Sequence, residues 1–534
     1  MVENVNTMNE YPKLADRIDC DGHRGNVCYV GLIDDTNGMW LGIDWDDPSR
    51  GKHNGIHGGK EYFKTRHPTS GSFVRPGKVK CGISCPDSIK DRYGLINDDL
   101  AGVDRNNISS LKREINAPFL EMVGFSKVNK KQSTFNQLRV VSLREQLVSN
   151  AGAPGELAEL CPNIEELDIS KSLINSWSVI IDIGVELQKL IRLDLSENNL
   201  PTKEKFPNLN AAAFPCVTQL TMIRMNYDWS DIEWCTSMFP ALRILYVAFN
   251  RVNTIEHPLA NSNLAQIVDL SLENNDLDNW DEIIKLGELT RLEILNLNAN
   301  RLDKIRLPSE NATGKTYLFP ALQQLHLSKN FISEWRSISE LEKLNNLRDL
   351  KFRNNPVVDN EKPETARQLI IARISKLKLL NNTEIARDER NGAEWDYLKL
   401  FANEWLQVNI DGMEERKNEF ITNHPRYPAL IELCGGLEFP NERVKTEMKS
   451  DVITIEFVSM NETLETSSKK KKLLKDMDVQ KLTGIAQRLF KTGRKIPILS
   501  IQSKHRNDEI PLDKPLQQLN YYSIQNDDRI LVRW

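Results

Sequence analysis

The sequence predicts a multidomain chain: a small β-barrel, then an α/β solenoid of stacked repeats, then a small α+β domain. Three observations predict it. Glycines and aromatics crowd residues 11–80, one apolar pattern recurs through residues 136–358, and strand-like alternation returns after residue 450. At 534 residues the chain is also too long for a single core.

Composition narrows the function classes. Hydrophobic content is 40% and charged content 27%, as in ordinary globular domains. A net charge of −5 argues against non-specific nucleic-acid binding by the whole chain. No apolar run approaches the ~18 residues of a membrane span, and the first residues lack the plan of a signal peptide. The eight cysteines are scattered, so the expectation is reduced thiols in the cytoplasm.

The middle of the chain carries the strongest signal. Leu190-Ile-Arg-Leu-Asp-Leu-Ser-Glu-Asn-Asn-Leu200 fits the pattern L-x-x-L-x-L-x-x-N-x-L, and so do 242–252, 267–277, 292–302, 322–332 and 347–357. Weaker copies start at Leu138, Ile164 and Val217, with Gln146, Ser172 and Met225 in place of the Asn. The second apolar position falls at 141, 167, 193, 220, 245, 270, 295, 325 and 350. Nine copies at this period predict a leucine-rich-repeat solenoid. The Asn is expected to bond backbone groups where the chain leaves each strand. The residue between the two close apolar positions faces outward. Those residues are Asp168, Asp194, Thr221, Tyr246, Ser271, Asn296, His326 and Lys351, a mostly polar row on the concave side suited to a protein partner. The amphipathic stretch Glu364–Leu400 is expected to be helical and to close the end of the array, with helical cap and linker sequence over 359–448.

After residue 450 the period changes to two. Val452–Val458, Ile496–Ile501 and Arg529–Trp534 read as strands, and Val479–Phe490 reads as a helix. The lysine-rich run Ser467–Lys475 is expected to be a solvated hairpin end between strands, with a nuclear signal as its rival reading.

Residues 51–63 pack Gly51, Gly55, Gly58, Gly59, Lys52, Lys60, His53 and His57 into one loop that ends on Tyr62 and Phe63. It does not match a phosphate-binding loop, because Lys52 is followed by His53 and no helix pattern follows. Gly314-Lys-Thr316 fails too, with Ser309 where the first glycine belongs. Cys20, His23 and Cys28, His53 and His57, and Cys81 and Cys85 do not assemble a four-ligand metal set. No nucleophile elbow or triad is present. The sequence therefore predicts a binding protein, not an enzyme, with no metal and no cofactor.

Gly51-Lys-His-Asn-Gly55, within the order Gly25–Gly31, Met39–Pro48, Glu61–Phe63 and Gly71–Pro76, resembles the CAP-Gly domain family. The resemblance covers residues 11–80. It implies binding of acidic C-terminal tails ending in Glu-Glu-Tyr, notably that of α-tubulin. Gly51, Lys52, His53, Asn54 and Gly55 would bind the tail, with Trp45, Phe63 and Phe73 walling a groove for the terminal ring. His53 and Asn54 stand where the family signature has Asn and Asp. Residues 51–78 hold Lys52, Lys60, Lys64, Lys78, Arg66 and Arg75 against Glu61 alone, a basic patch able to steer an acidic tail. Leu519–Val532 resembles the closing stretch of ubiquitin, which implies a β-grasp domain over 450–534. Residues 81–135 are left as a connecting segment.

These three domains in this order resemble the tubulin folding cofactors. The resemblance implies α-tubulin and other tubulin cofactors as partners, in the cytoplasm and cytoskeleton. It implies work in folding, assembly and dissociation of the α/β heterodimer. Proteasome or ubiquitin-pathway factors are the expected partners of the last domain, and neither nucleic acid nor membrane is expected. Two rival readings are a microtubule-end adaptor and a ubiquitin-pathway adaptor. The first usually has long coiled coils, and no sustained heptads are seen.

Overall fold

The computed structural model describes residues 12–94, 134–204, 213–256, 263–433, 452–460, 468–474, 477–493, 495–503, 509–515 and 517–534. The chain forms two compact units. One holds residues 1–363 and 376–384, the other 364–375 and 385–534. Among the described residues no helix is long and apolar enough to cross a membrane.

The first unit opens with an antiparallel five-stranded sheet in the order Gly71–Val74, Met39–Trp45, His23–Leu32, Arg17–Cys20, Lys80–Cys81. Alternation along these strands buries Ile18, Cys20, Val27, Leu41, Ile43 and Trp45 in one small core. The glycine-rich loop adds a hairpin, Ile56–His57 against Lys60–Glu61. Its two-residue turn is Gly58-Gly59, both with positive φ, as such a tight turn needs.

The solenoid follows. One sheet of eleven strands runs from Val140–Ser142 to the short strands Leu379–Leu380 and Thr383–Glu384. Its middle strands are parallel and in register, Leu193 beside Leu220 beside Leu245 beside Leu270 beside Leu295. Each leucine points into the core and is nearly inaccessible. The recurring spacing has a visible cause in the buried asparagines. Asn300 Nδ2 donates to Leu272 O at 2.9 Å and Leu297 O at 3.1 Å, and its Oδ1 accepts from Leu277 N at 3.2 Å. Asn250 and Asn330 repeat this arrangement. Each Asn therefore stitches its own turn to the preceding repeat. The residue before the Asn, or before Gln146, Ser172 or Met225 in its place, is left-handed in every repeat: Glu145, Lys171, Glu197, Arg224, Phe249, Asn274, Ala299, Lys329 and Asn354.

The opposite side of the repeats carries short helices. Several begin on a tryptophan: Trp177–Glu186, Trp229–Thr236, Trp280–Lys285 and Trp335–Glu340. Ser176, Asp228 and Asn279 cap the first three with their side chains.

Both ends of the array differ from the expectation. Residues 83–94, expected to be a connector, are ordered. Ile83–Ser84 pairs in parallel with Val148–Asn150, and the helix Cys85–Tyr93 follows. Tyr93 Oη accepts from Ser142 N at 2.8 Å, and Lys90 pairs with Glu156 at 2.8 Å. Residues 95–133 of that segment lie outside the described residues. At the other end, the helix expected over Glu364–Leu400 stops at Arg373 and resumes only at Arg387. Leu379–Leu380 joins the sheet instead, and Asn381-Asn382, both left-handed, turn the chain into Thr383–Glu384. Two adjacent residues that tolerate positive φ make a hairpin the favoured continuation there.

The barrel is fastened to the solenoid. Arg24 donates to Glu145 O at 2.8 Å, and Asn175 Nδ2 donates to Ala15 O at 2.7 Å.

In the second unit, the helices Arg387–Leu400, Ala402–Ile410, Glu414–Asn423 and Tyr427–Leu433 surround the rings of Tyr397, Phe401, Trp405, Phe420, His424 and Tyr427. His424 Nδ1 and Tyr397 Oη lie 2.6 Å apart, and burial pushes the imidazole down to about 3. The expected linker beyond residue 433 lies outside the described residues.

The C-terminal domain is a β-grasp. Its strand order is Ser468–Leu474, Val452–Ser459, Arg529–Arg533, Ile498–Gln502, Glu509–Pro511, with the two long-range neighbours Val452–Ser459 and Arg529–Arg533 parallel. The helix Val479–Phe490 buries Val479, Leu482 and Ala486 against Ile453, Ile455, Phe457, Ile530 and Val532. This is the topology of ubiquitin. The lysine run corrects the expectation: Lys469–Lys472 lie within the edge strand, not in a hairpin end. Lysines on an edge strand hinder pairing with other chains. Ser467 and Lys475 lie outside the described residues.

Candidate functional site

The expected groove is built around Gly42. The strand His23–Leu32 carries an extra residue between Val27 and Tyr29. That bulge turns Tyr29 away from the core face. Tyr29 then pairs with Gly42, and Gly42 pairs with Phe73. A side chain at residue 42 would fall 2.4 Å from the Phe63 ring and 2.8 Å from Tyr29 Cβ. Gly42 thus leaves the space that the rings fill.

Phe73 is the hub of the ring cluster. Its centroid lies 5.0 Å from His53, 5.3 Å from Phe63, 5.6 Å from Tyr62 and 6.1 Å from His57. Tyr29 meets Tyr62 edge-on at 5.3 Å. Most of these pairs are edge-to-face, the arrangement favoured by ring quadrupoles.

The loop is latched onto this cluster by its backbone. Lys52 N donates to Gly71 O at 2.7 Å, and Gly71 N donates to His53 O at 2.7 Å. Gly55 N donates to His53 Nδ1 at 3.0 Å, so that nitrogen carries no proton. Burial, then the neighbouring His57, push the His53 imidazole below its ordinary value. His53 therefore acts here as a neutral acceptor that shapes the loop. Tyr62 N donates to Gly55 O at 3.0 Å and closes it.

Under the loop lies an ion network. Buried Asp44 accepts from Arg66 Nε at 2.7 Å and Ser70 Oγ at 2.5 Å. Arg17 and Arg66 share Asp46. Burial pushes the Asp46 carboxyl up, but the bonded Arg17 and nearby Arg66 outweigh it and hold it below the usual range. Lys60 is committed to Asp34 at 2.9 Å. Lys52 is exposed and has no ion-pair partner among the described residues. The loop thus offers an exposed ammonium, without an ion-pair partner among the described residues, on the residue before His53 of the ring cluster, a pairing suited to a carboxylate next to an aromatic or apolar group.

The expected site residues fall into two sets. Lys52, His53, Asn54 and Phe73 are at least partly accessible, and Gly51 and Gly55 shape the loop. Trp45 is a correction. It is 1% exposed, packed in the barrel core with the Arg50 guanidinium 5.0 Å from its ring, and cannot wall a groove. Phe63 is 6% exposed and supports the cluster from below. Tyr29, Tyr62 and His57 belong to the cluster and were missed. The bulge that re-aims Tyr29 leaves no mark in a period-two pattern. Tyr62 was visible as the aromatic preceding Phe63.

On the solenoid, Asp168, Asp194, Thr221, Tyr246, Ser271, Asn296, His326 and Lys351 form one unbroken cross-strand row. The two acidic residues open it and Lys351 ends it. Burial, with Asp168 adding to it, pushes the Asp194 carboxyl up. Burial, then Lys351, push the His326 imidazole down to about 4. The middle of the row is uncharged. Gly314-Lys-Thr316 lies in a loop, with Lys315 on Glu342 at 3.0 Å and Thr316 buried. Among the described residues no group of three or more His, Cys, Asp or Glu is placed to hold a metal ion.

Comparison with known proteins adds the family. A CAP-Gly domain model matches residues 14–79, and a leucine-rich repeat model matches residues 243–404. A relative from Xenopus laevis, tubulin-specific chaperone E, is 38% identical over 528 residues, covering 97% of this chain and 98% of its own. The chain belongs to the tubulin-specific chaperone E family. Its human member is 36% identical over 529 residues, with the same two coverages. The solution structure of the C-terminal ubiquitin-like domain of the mouse member is 33% identical. It covers 17% of this chain and 94% of its own, with a TM-score of 0.15. The Xenopus and human members each match 97% of this chain, so the barrel, solenoid and β-grasp domain are matched together.

Proposed function

We propose that this chain is a tubulin cofactor that holds the acidic C-terminal tail of α-tubulin at the Lys52 loop. With other tubulin cofactors it serves folding, assembly and dissociation of the α/β heterodimer. Family membership along almost the whole chain supports the general role. The observation that carries the tail contact is the exposed Lys52, without an ion-pair partner among the described residues, directly before His53 of the Phe73 ring cluster. Lys52 takes a carboxylate of the tail, and the rings of Phe73, Tyr29 and Tyr62 take its terminal aromatic.

A single tail contact of this kind is weak, roughly micromolar, or about −8 kcal/mol. The polar row of the solenoid sheet supplies a second contact, to the tubulin body or to a partner cofactor. Tethering raises the effective concentration for that second contact. Separation of a heterodimer then follows from preferring the lone subunit. The β-grasp domain engages a further factor of the ubiquitin pathway, and the work is cytoplasmic.

Co-sedimentation separates this reading from that of a microtubule-end adaptor. The protein should stay in the supernatant above taxol-stabilised microtubules and co-elute with unpolymerised tubulin on a sizing column. Pelleting with the polymer, without co-elution, would overturn the reading.

A further inference from the structure

The turn edge of the solenoid carries a surface that the Lys52 loop does not explain. The residue before the Asn position of each repeat is left-handed there. Phe249 holds that position with φ 57° and is 38% exposed. A bulky aromatic in this region is unusual and strained. The next repeat places Asn274 at the same position with φ 50°, a residue that tolerates it. The preceding repeat places Arg224 there, and its guanidinium lies 4.1 Å from the Phe249 ring centroid. Arg224 has no acidic partner among the described residues.

Beside this pair is a shallow cavity of about 460 Å³, lined among others by Arg224, Phe249, Asp276 and Arg301. Arg301 is held by Asp276 at 2.8 Å. Further along the same edge Phe331 is 60% exposed and Lys329 is left-handed and exposed. Two exposed phenylalanines and two uncommitted cations therefore share one edge of a chain whose net charge is −5.

We infer that this edge is a second docking site, specific for an acidic peptide segment of a partner protein and separate from the Lys52 loop. Charge complementarity selects the occupant. Arg224 and Arg301 against Asp276 leave a single net positive charge at the cavity, enough for side-chain carboxylates. A polyphosphate backbone asks for a denser cation array. The guanidinium held over the Phe249 ring keeps N–H groups for a carboxylate, and the exposed rings take the apolar parts of the peptide.

The test is fluorescence anisotropy of the full-length protein with a fluorescein-labelled hexaglutamate peptide whose C-terminus is amidated. Without a C-terminal tyrosine or a free C-terminal carboxylate, this probe does not depend on the tail-binding reading. Wild type should bind it, more weakly as salt rises. Arg224→Glu should weaken binding at least tenfold. Phe249→Asn should weaken it at least threefold while thermal stability is kept or raised, because Asn relieves the left-handed strain. Lys52→Ala is measured beside them. No wild-type binding, unchanged binding in both edge variants, or loss confined to Lys52→Ala would each overturn the inference. Tighter binding of single-stranded poly(U) than of the peptide would overturn the choice of occupant.

Discussion

Gly55→Ala should abolish tail binding and loosen the N-terminal barrel. Gly55 has φ +94°, where an L side chain is strained, and a Cβ there would sit 1.9 Å from the Phe63 carbonyl oxygen. That oxygen is backbone and cannot swing aside as a side-chain end would. The loop must therefore move, which breaks the Tyr62 N to Gly55 O bond and the Gly55 N to His53 Nδ1 bond. Left-handed strain and overpacking together cost about 3 kcal/mol. Hydrogen exchange over residues 51–74 of the full-length protein should rise by about two orders of magnitude, as that free energy implies. Gly77→Ala is the matched control. Gly77 lacks positive φ, and nothing lies within 4 Å of its added Cβ. Equal protection in the two variants would show that the loop is not held as described.

Asn300→Ala should cost more than any exposed substitution in the solenoid. Asn300 is 3% exposed and satisfies three backbone groups from two repeats. Alanine leaves the Leu277 N–H buried without a partner and takes one of two amide donors from Leu272 O and Leu297 O, which keep Asn275 and Asn330, so a net loss of about 1–3 kcal/mol is expected. Each repeat is stabilised by its neighbours, so the loss spreads along the array. In urea the transition followed by far-ultraviolet circular dichroism should move to lower concentration or split in two. Asn199→Ala, at an exposed position one residue beyond buried Asn198, should leave it unchanged. Matching curves for the two variants would remove the asparagine ladder from the account.

The solenoid was the most legible part of the sequence, and the reason is physical. Each repeat solves the same packing problem, so Leu193, Leu220 and Leu245 recur at a fixed interval and their strands fall in register. The polar row from Asp168 to Lys351 follows from the same register. Legibility failed where a single residue changes the face or the ending of an element. Trp45 was assigned to the groove by residue type, yet strand alternation places it in the core beside Ile43 and Leu41. Tyr29 was hidden by a bulge. The hairpin at Asn381-Asn382 was read as helix because Leu377, Leu379 and Leu380 also suit a helical face. The lysine run was read as a loop because four charges in a row mask a strand. There, backbone pairing with Val452–Ser459 decides the conformation. The helix-start tryptophans, at Trp177, Trp229, Trp280 and Trp335, were a periodic signal that the leucine pattern overshadowed.

The central claim is that Lys52 and the rings around Phe73 receive a tail ending in an aromatic carboxylate. The direct measurement is calorimetric titration of the full-length protein with two peptides copied from the α-tubulin tail. One ends in Glu-Glu-Tyr and the other lacks only the Tyr. The account predicts binding of the first, at least tenfold weaker binding of the second, and at least tenfold weakening of the first by Lys52→Ala. Equal affinity for both peptides, or an affinity that Lys52→Ala leaves unchanged, would contradict it.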